Sequence, residues 1–467
     1  MAPCHGLLWE ARYMLNRASS LRSAWGLLNL VLCLAACGAS PTSGSESATG
    51  GGSPELDKSS VPRAPASGIS QDTLASAVAA NNAFALDVYA RIRSSAATSN
   101  LLISPLSASL ALTMAYAGAH GETATQMATA LHFASAASSI FSGQNALIQS
   151  LSSDAPQALA RDRQNSTTPP NPSDYQLQIV NSVWGEQTYP WQKPFLDTLA
   201  ENYGAGIYLD DFIGNLAATT QAINSWVSTQ TDDKINMLLQ RLDPNTRLVL
   251  VNALHLKLPW SYPFPATATA PAAFTTGTGS TVSTPFMNQM QPFGYLDDGQ
   301  AKIVSLPLAE ALAVIITLPY ASDLSTYEST LTAQSSAVRL PPESMGSLVN
   351  LSLPKVTFTS ATFSLASILQ SMGMTDAFDP NDADFSNLCE RPLFISDVLQ
   401  KTCIAVEETG VEAAAATAAI FEDAAASTTP PPTVVVNRPF LLSIVDQATG
   451  AILFIGHITD PTDNGSP

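Results

Sequence analysis

The stretch Glu407–Ser427, EETGVEAAAATAAIFEDAAAS, constrains the fold more than any other part of this 467-residue sequence. It lies between two strand-like segments, Ile404–Val406 and Phe440–Val445. Alanine favours helix, but small side chains also allow a segment to enter a tightly packed sheet, and Gly410 supplies the backbone freedom of a hinge. The segment is therefore a candidate conformational switch. An Ala-rich surface helix or a low-complexity loop is the alternative interpretation.

Outward from this stretch, strand-like and helical patterns alternate irregularly. This mixture favours an α+β domain over a doubly wound one. Polar residues predict a surface loop over Ser152–Ser173, because backbone groups in such a segment need water. The strand-like runs are Arg247–Leu256, Ala313–Leu318, Val349–Phe358 and Phe440–Val445, and the helical ones are Leu74–Ile92, Thr219–Val227 and Phe363–Met372.

Composition excludes two classes of partner. The net charge is −18, and charged residues make up only 12% of the chain. Nucleic acids and anionic membrane surfaces are held mainly by clustered Lys and Arg, and no such cluster is present. The hydrophobic fraction of 46% is too high for a disordered chain, so most of the sequence is expected to fold.

The sequence contains none of the common enzyme motifs, neither a nucleophile elbow nor a phosphate-binding loop nor a zinc-protease helix. Its five histidines are isolated from one another. Cys389 and Cys403 lack the spacing of a zinc site, which leaves a disulfide or two free thiols open. The adjacent acidic pairs Glu407-Glu408 and Glu422-Asp423 need not converge on one substrate. We therefore predict a protein that is not an enzyme and holds no metal or cofactor.

The N-terminal region has the layout of an export signal. Arg12, Arg17 and Arg22 precede an apolar stretch, residues 24–36, that is too short to span a bilayer. The sequence Leu-Ala-Ala-Cys at residues 34–37 resembles the signal of bacterial lipoproteins, whose cysteine receives lipid. An ordinary signal peptide is the alternative interpretation. The start codon is a separate question, because a signal that begins at Met14 is more compact than one that begins at Met1.

These observations predict four segments. Residues 1–36 form a lipoprotein signal peptide, and residues 37–70 contain lipidated Cys37 and a flexible tether rich in Ser, Gly and Pro. Residues 71–462 form the folded domain, and residues 463–467 a short tail. We expect an exported lipoprotein of the outer membrane or cell surface, or an extracellular protein, which contacts the membrane only through its lipid.

From about Gln71 to Thr462 the sequence resembles the serpin family. The resemblance rests on many motifs that occur in the family's order. They are Asn82–Phe84, Ser104–Ser107, Gly118–Thr123, Asn181–Trp184, Ile223–Val227, Thr231, Lys234-Ile235, Leu250–Ala253, Ala383–Ser386, Asn437–Phe440, Thr449–Gly456 and Asp460–Thr462.

The resemblance implies a metastable α+β fold with three β-sheets, about nine helices and an exposed reactive centre loop. It also implies a monomer that inhibits serine proteases by suicide: the protease attacks the loop as a substrate, and the cut loop then inserts into the large sheet. The expected partner is thus a serine protease, with no nucleic acid involved.

The same resemblance implies which residues form the hinge of the loop and the shutter and breach of the large sheet. Alternate residues of an inserting strand face opposite sides of the sheet, so Val411, Ala413, Ala415 and Thr417 are expected to face the core, with the charge of Glu412 outward. The hinge comprises Glu408, Gly410, Val411, Glu412, Ala413, Ala414, Ala415, Ala416 and Thr417. The shutter and breach, which control opening of the sheet, comprise Ser104, Ser107, Asn181, Trp184, Gln400 and Lys401.

Three residues depart from the family's pattern. Val411 stands where Thr or Ser is usual, Gln400 where the shutter has His, and Asp233 where Gly is common before Lys234. A bulkier Val411 is expected to slow the first step of insertion. Gln400 still offers both a donor and an acceptor.

The family's usual distance from the hinge, counted from Glu408, implies a reactive bond at Ala424-Ala425, and counting back from Asn437 widens the window to Ala424–Thr428. A small residue before the bond suits the shallow pocket of an elastase-like or subtilisin-like protease. Two alternatives remain: inhibition of a cysteine protease, and a non-inhibitory serpin that acts as a binding or storage protein. Non-inhibitory members typically carry proline or large residues in the hinge, which this sequence lacks.

Overall fold

A computed structural model describes residues 54–165, 170–309, 311–320, 324–339, 347–412 and 430–465. The predicted signal peptide, Cys37 and the tether up to residue 53 lie outside the described residues. So do residues 413–429, which include the predicted reactive bond. The described residues belong to one compact unit, Gly51–Pro467.

Within these ranges the chain forms eight α-helices, close to the nine that the resemblance implies. They are α1 Gln71–Ile92, α2 Pro105–Tyr116, α3 Gly121–Ala130, α4 Ala137–Asn165, α5 Lys193–Tyr203, α6 Leu216–Gln230, α7 Leu324–Glu328 and α8 Ala366–Ser371. The Ser70 side chain caps α1 by accepting a hydrogen bond from the N–H of Thr73 at 3.1 Å. Phe84 and Val88 of α1 are buried in the core.

The described strands number eighteen. They are β1 Glu55–Asp57, β2 Leu101–Ile103, β3 Gln176–Glu186, β4 Ile207–Asp210, β5 Leu248–Pro259, β6 Ala270–Thr275, β7 Thr281–Asp297, β8 Ala301–Leu308, β9 Leu312–Pro319, β10 Ser347–Pro354, β11 Val356–Thr359, β12 Phe363–Ser364, β13 Val398–Gln400, β14 Cys403–Val406, β15 Gly410–Val411, β16 Thr433–Val435, β17 Phe440–Asp446 and β18 Ile452–Ile458.

The strands form three sheets, which confirms the predicted α+β class and sheet number. Sheet A has the order β1-β4-β3-β5-β15-β14-β11, and β13 and β12 join it beside β5. Sheet B has the order β7-β8-β9-β17-β18-β2, and sheet C the order β16-β10-β7-β6. The long strand β7 belongs to both, because its first half pairs with β6 and β10 and its last four residues pair with β8.

The prediction of a surface loop over Ser152–Ser173 is wrong for its first half. Helix α4 continues to Asn165 and includes Pro156 in its interior. Ala155 and Ala158, one turn apart, are buried against the core at 3% and 0% exposure. Packing of these two small residues outweighs the cost of a proline in the helix.

The segment from Pro54 to Ile69 lies against the fold, although the sequence placed it in the flexible tether. Strand β1 pairs antiparallel with β4 at the edge of sheet A. Arg63 Nε donates to Asn145 Oδ1 of α4 at 2.9 Å, and the N–H of Ala64 donates to the carbonyl of Glu201 in α5 at 2.8 Å. A Cβ on Gly206 would lie 2.4 Å from the carbonyl of Asp57, so this close approach needs glycine.

No helix in the described ranges is both long enough and apolar enough to cross a bilayer.

Candidate functional site: the hinge and the opening in sheet A

Sheet A is closed at one end and open at the other. At the closed end β13 pairs directly with β5, with Val398 opposite Leu250. Further along, β15 lies between β5 and β14, where Val411 pairs with Leu258 on one side and Val406 on the other. Gly410 and Val411, which follow the turn at Glu407–Thr409, are therefore already a strand of the sheet.

Val411 faces the core, as the alternation of the hinge predicts. Its side chain is 1% exposed and packs in the cluster that contains Leu258 and Val406. Val411 is larger than the Ser or Thr that the family prefers, and the core accommodates it fully.

Glu412 is the last described residue of the hinge. Its φ of 52° lies in the left-handed region, which is unfavourable for a residue with a Cβ. The N–H of Glu412 still donates to the carbonyl of Ala405 in β14 at 2.8 Å. The backbone of Glu412 is therefore hydrogen-bonded to the sheet but is not extended like a strand residue.

The Glu412 side chain is buried and contacts a histidine and a lysine. Its Oε2 lies 3.2 Å from Nε2 of His255 in β5 and 3.6 Å from Nζ of Lys234, and only 4% of the side chain is exposed. Burial opposes ionisation of Glu412, but the His255 hydrogen bond and the Lys234 charge outweigh it and lower the pKa of Glu412. The Glu412 carboxylate, which the sequence predicts on the outward face opposite Val411, is therefore shielded from water and contacts Lys234 and His255.

A second carboxylate anchors the base of the hinge. Glu408 accepts hydrogen bonds from Lys355 Nζ at 2.8 Å and from Thr269 Oγ1 at 2.9 Å. Partial burial opposes ionisation, but the bond from Lys355 and that from Thr269 outweigh it, so the pKa of Glu408 lies below its ordinary value. Lys355 lies between β10 and β11, so this pair ties the hinge to β11, the edge strand of sheet A beside β14.

The tryptophan at the hinge is Trp260, which the sequence analysis did not select. Its indole N–H donates to the carbonyl of Glu407 at 2.8 Å, and its backbone N–H donates to the carbonyl of Thr409 at 3.0 Å. Trp260 follows β5 directly, but its position in the sequence does not distinguish it from Trp184, which also lies near the end of a strand.

Trp184, which we assigned to the breach, lies elsewhere in sheet A. It is on β3, stacks on Tyr208 with ring centroids 4.8 Å apart, and donates its indole N–H to Ser182 Oγ at 2.8 Å. Its cluster packs against α6 through Trp226.

The structure brings Ser104 and Gln400 of the predicted shutter together. The Gln400 side chain accepts from the N–H of Ser104 at 3.1 Å and donates to the carbonyl of Ser104 at 2.8 Å. Both residues are 2% exposed. One amide therefore satisfies two backbone groups at the start of α2, and it links that helix to β13.

The other predicted shutter residues lie around the same opening. Asn181 is on β3, opposite Asn252 of β5. Lys401 follows β13 and donates to the carbonyl of Met237 at 3.3 Å, and burial lowers its pKa. Within the described part of the chain, three buried atoms here lack a hydrogen-bond partner: Ser107 Oγ, Asn181 Oδ1 and His255 Nδ1.

The remaining predicted site residues lie outside the described residues: Ala413–Thr417 of the hinge, Ala424 and Ala425 of the reactive bond, and Cys37. Cys389 and Cys403 are described and are both free thiols, which settles the alternative left open by the sequence.

Comparison with known proteins supports the same architecture. The family model "Serpin (serine protease inhibitor)" matches residues 79–461. Leukocyte elastase inhibitor of Bos taurus is 34% identical over 395 residues, which cover 82% of this chain and 99% of that protein. An uncharacterized serpin-like protein of Methanosarcina acetivorans is 30% identical over 386 residues, 82% of this chain and 85% of that protein.

The solved structures agree. The thermophilic serpin tengpin in its native state superposes with a TM-score of 0.69 at 30% identity, covering 84% of this chain and 95% of that one. The matched region contains the hinge, the shutter and all three sheets. This chain belongs to the serpin family of protease inhibitors.

Proposed function

We propose that this protein is a suicide inhibitor of serine endopeptidases and not an enzyme. The observation that carries the proposal is the position of β15: Gly410 and Val411 already lie between β5 and β14, at the open end of sheet A. The hinge that follows is made of small residues without proline, Ala413–Thr417, so it can continue the same strand.

The chemistry uses the protease's own mechanism. The protease serine attacks the carbonyl carbon of Ala424, the C–N bond to Ala425 breaks, and the new amine leaves with a proton, which gives an acyl-enzyme ester. The released strand then inserts beside β5 and β14 before water reaches the ester. The ester bond carries the protease along with the strand.

Insertion is favourable because the opening has unsatisfied hydrogen-bonding capacity. Each inserted residue gains backbone pairing to strands on both sides. On β5, which borders this opening, His255 Nδ1 has no partner among the described residues. An unpaired buried polar group costs about 1–3 kcal/mol, so pairing of this atom on insertion would add to the driving force.

The target we propose is an elastase-like or subtilisin-like protease. Ala424 fits a shallow apolar pocket and gives a trypsin-like or chymotrypsin-like pocket nothing to hold. The similarity to leukocyte elastase inhibitors supports this class. Glu422 and Asp423 select against proteases with an acidic rim.

Incubation with an elastase-like and a subtilisin-like protease tests the proposal. We expect a covalent complex that survives SDS, and release of a C-terminal fragment that begins at Ala425. Ala415→Glu places a charge on the face that inserts into the core, so it converts the inhibitor into a substrate. Ala416→Glu places the same charge on the opposite face and serves as the matched control, which still forms the complex.

One outcome overturns inhibition. If wild-type protein is only cleaved by every serine and cysteine protease tried, without a complex and without a gain in thermal stability, the protein is a non-inhibitory serpin that binds or stores a partner. If a covalent complex forms only with cysteine proteases, the target class changes from serine to cysteine proteases and the proposed inhibitory mechanism is retained.

We also propose export as a monomer that is anchored through lipid on Cys37, at the outer membrane or cell surface. The sequence before Cys37 and the polar residues after it support this. Radiolabelled palmitate should label the wild type and not Cys37→Ser, and the variant should leave the membrane fraction. Equal labelling of both would eliminate the anchor.

A further inference from the structure

The chain enters the fold through β1, an edge strand of sheet A. β1 pairs antiparallel with β4, and Asp57 lies opposite Ile207. Just after β1, Ser59 Oγ donates a hydrogen bond to Asp197 Oδ1 of α5. The chain is therefore held by the domain from Pro54 onward, and not only from the start of α1.

The strand register places Pro54 at the closed end of sheet A. Through β4 and β3, Glu55 is level with Leu248 at the start of β5. The hinge lies at the other end of β5, where Val411 is opposite Leu258. At about 3.3 Å per residue the two levels are about 33 Å apart along the sheet. We name the end of sheet A near Leu248 the tether pole and the end near Leu258 the loop pole.

The register of β15 also predicts where the inserted loop ends. Val411 is opposite Leu258 and the two strands are antiparallel, so each residue added to β15 lies one residue closer to the start of β5. Continuing this pairing brings Glu422 opposite Arg247, and Ala424, which carries the ester, lies just beyond. Insertion therefore moves the acylated end of the loop from the loop pole to the tether pole.

The entry strand and the inserted strand are close together at this pole. Sheet A has the order β1-β4-β3-β5-β15, so four strand spacings separate β1 from the inserted strand. At about 4.8 Å each, this distance is about 19 Å. A protease domain of about 220 residues has a radius of gyration of about 17 Å. A protease held at the end of the inserted strand would thus lie beside the point at which the chain enters the fold.

The chain between the predicted lipid and the domain is short. Only residues 38–53 separate Cys37 from the first described residue, Pro54. At no more than about 3.6 Å per residue, their reach is under about 62 Å. A lipid on Cys37 would therefore keep the tether pole within this distance of the bilayer. Because the bilayer excludes the domain, the loop pole would lie farther from it on average.

We propose that the protein is attached to the membrane at the pole opposite its reactive loop, so that insertion delivers the captured protease to the membrane-facing pole. This inference rests on the proposed inhibition and on the proposed lipid anchor. The inhibitor captures a protease away from the bilayer and then holds the covalent complex next to the lipid surface.

The test measures energy transfer from a labelled subtilisin-like protease to labelled lipid. Lipidated wild-type protein is incorporated into phosphatidylcholine vesicles that contain an acceptor-labelled lipid. The donor dye is on the protease, which is used in two forms: the active enzyme, and a variant with alanine in place of its catalytic serine, which cannot form the ester. At saturating concentration the inactive form marks the position of the protease on the uncut loop.

We expect transfer from the covalent complex to be at least about twofold stronger than transfer from the inactive form, because about 33 Å along the sheet separates the two positions. Deletion of residues 41–51 shortens the tether without changing a described residue, and it should strengthen transfer from the covalent complex further. Replacing the same residues by an equal number of Gly and Ser is the matched control and should leave transfer unchanged. The unanchored Cys37→Ser should give no transfer with either form.

Equal transfer from the two forms of the protease, or stronger transfer from the inactive form, overturns this inference alone when the anchored wild type still forms the SDS-stable complex. A wild type that forms the complex but does not remain with the vesicles overturns the lipid anchor, and this inference with it. A wild type that forms no covalent complex with any protease overturns the proposed inhibition itself.

Discussion

The carboxylate of Glu412 lies 3.2 Å from Nε2 of His255, and both side chains are almost fully buried. Glu412 belongs to the segment that must move, whereas His255 belongs to β5, the strand along which it must move. Glu412 also holds a φ of 52°, and an inserting strand needs extended backbone. The contact therefore opposes the extended backbone that Glu412 would need in order to continue β15.

We predict that Glu412→Gln shortens the lifetime of the inhibitory state. Loss of one buried, charge-assisted hydrogen bond costs about 1–3 kcal/mol, so the half-life of inhibitory activity during warming should fall about tenfold. The exposed Glu201→Gln is the control and should behave as the wild type. An equal or longer half-life for Glu412→Gln would show that the contact does not restrain the hinge.

Acid should loosen the hinge in the same way. The pKa values of Glu408 and Glu412 are lowered, so their stabilising contribution is present above the ordinary glutamate pKa of 4.5 and is lost as pH falls through their folded values. Spontaneous loss of inhibitory activity should therefore accelerate as the pH falls below the ordinary glutamate pKa of 4.5. The acceleration should be smaller in Glu412→Gln, and an identical pH profile in the two proteins contradicts the assignment.

Asp154 should give the opposite pH dependence. Burial, with the nearby charge of Asp446, raises the pKa of Asp154 to about 7. Its stabilising contribution is complete below the ordinary pKa of 3.8 and is lost as pH rises through about 7. Asp154→Asn should therefore reduce the fall in melting temperature between about pH 5 and about pH 8. Asp382 is exposed, so Asp382→Asn is the control and should show the same fall in melting temperature as the wild type. If Asp154→Asn also showed the wild-type fall, the Asp154 carboxyl would be ionised over the whole pH range and the prediction would be wrong.

The ion pair between Glu408 and Lys355 predicts a rescue experiment. Glu408→Lys places two cations where the structure has a 2.8 Å ion pair, so the base of the hinge should separate from the edge strand. We expect faster loss of inhibitory activity and more self-association on native gels, since an open sheet accepts a strand from another copy. Adding Lys355→Glu should restore the wild-type behaviour at least in part. Failure of the double variant to improve on Glu408→Lys would mean that the pair does not hold the hinge.

Gln400→Met should destabilise the closed end of the opening. Methionine preserves the size of Gln400 but removes its hydrogen bonds to the N–H and the carbonyl of Ser104. The carbonyl keeps the bond that it accepts from the N–H of Ala108 at 3.3 Å, so the cost is that of the unpaired N–H, about 1–3 kcal/mol, measured as the free energy of the first unfolding transition in urea. The exposed Gln370→Met on α8 is the control, and an equal effect of the two substitutions would contradict the role of the amide.

Much of the site followed from the sequence because local patterns determine it. The small residues after Gly410 predict a segment that can become a strand of the sheet. The alternation of side chains along that strand correctly places Val411 in the core. Gln400 keeps a donor and an acceptor in one side chain, and both are used on Ser104. The strand-like runs predicted β5, β9, β10 and β17, since each run supplies the apolar face that a strand must bury.

The sequence failed where packing outweighs local pattern. Polar composition around Ser152–Ser173 predicted a loop, yet two buried alanines keep α4 helical beyond Pro156. Residues 54–69 lack apolar periodicity, but the open edge of β4 offers backbone groups that pair with any sequence. Trp184 and Trp260 have similar strand-end contexts, and only the tertiary structure places Trp260 at the hinge.

The sequence by itself identified the family, because the order of motifs along the chain is specific to it, and the resemblance implied the three-sheet architecture. Residue size and alternation marked the segment after Glu407 as a candidate switch. The tertiary structure decided where Gly410 and Val411 lie in sheet A and which side chains hold Glu412 beside them. Glu412, His255 and Lys234 are distant in sequence, and their side chains meet only when β5, the hinge and the segment after α6 are packed together. Electrostatic contacts of this kind depend on distance and burial, and the linear sequence contains neither.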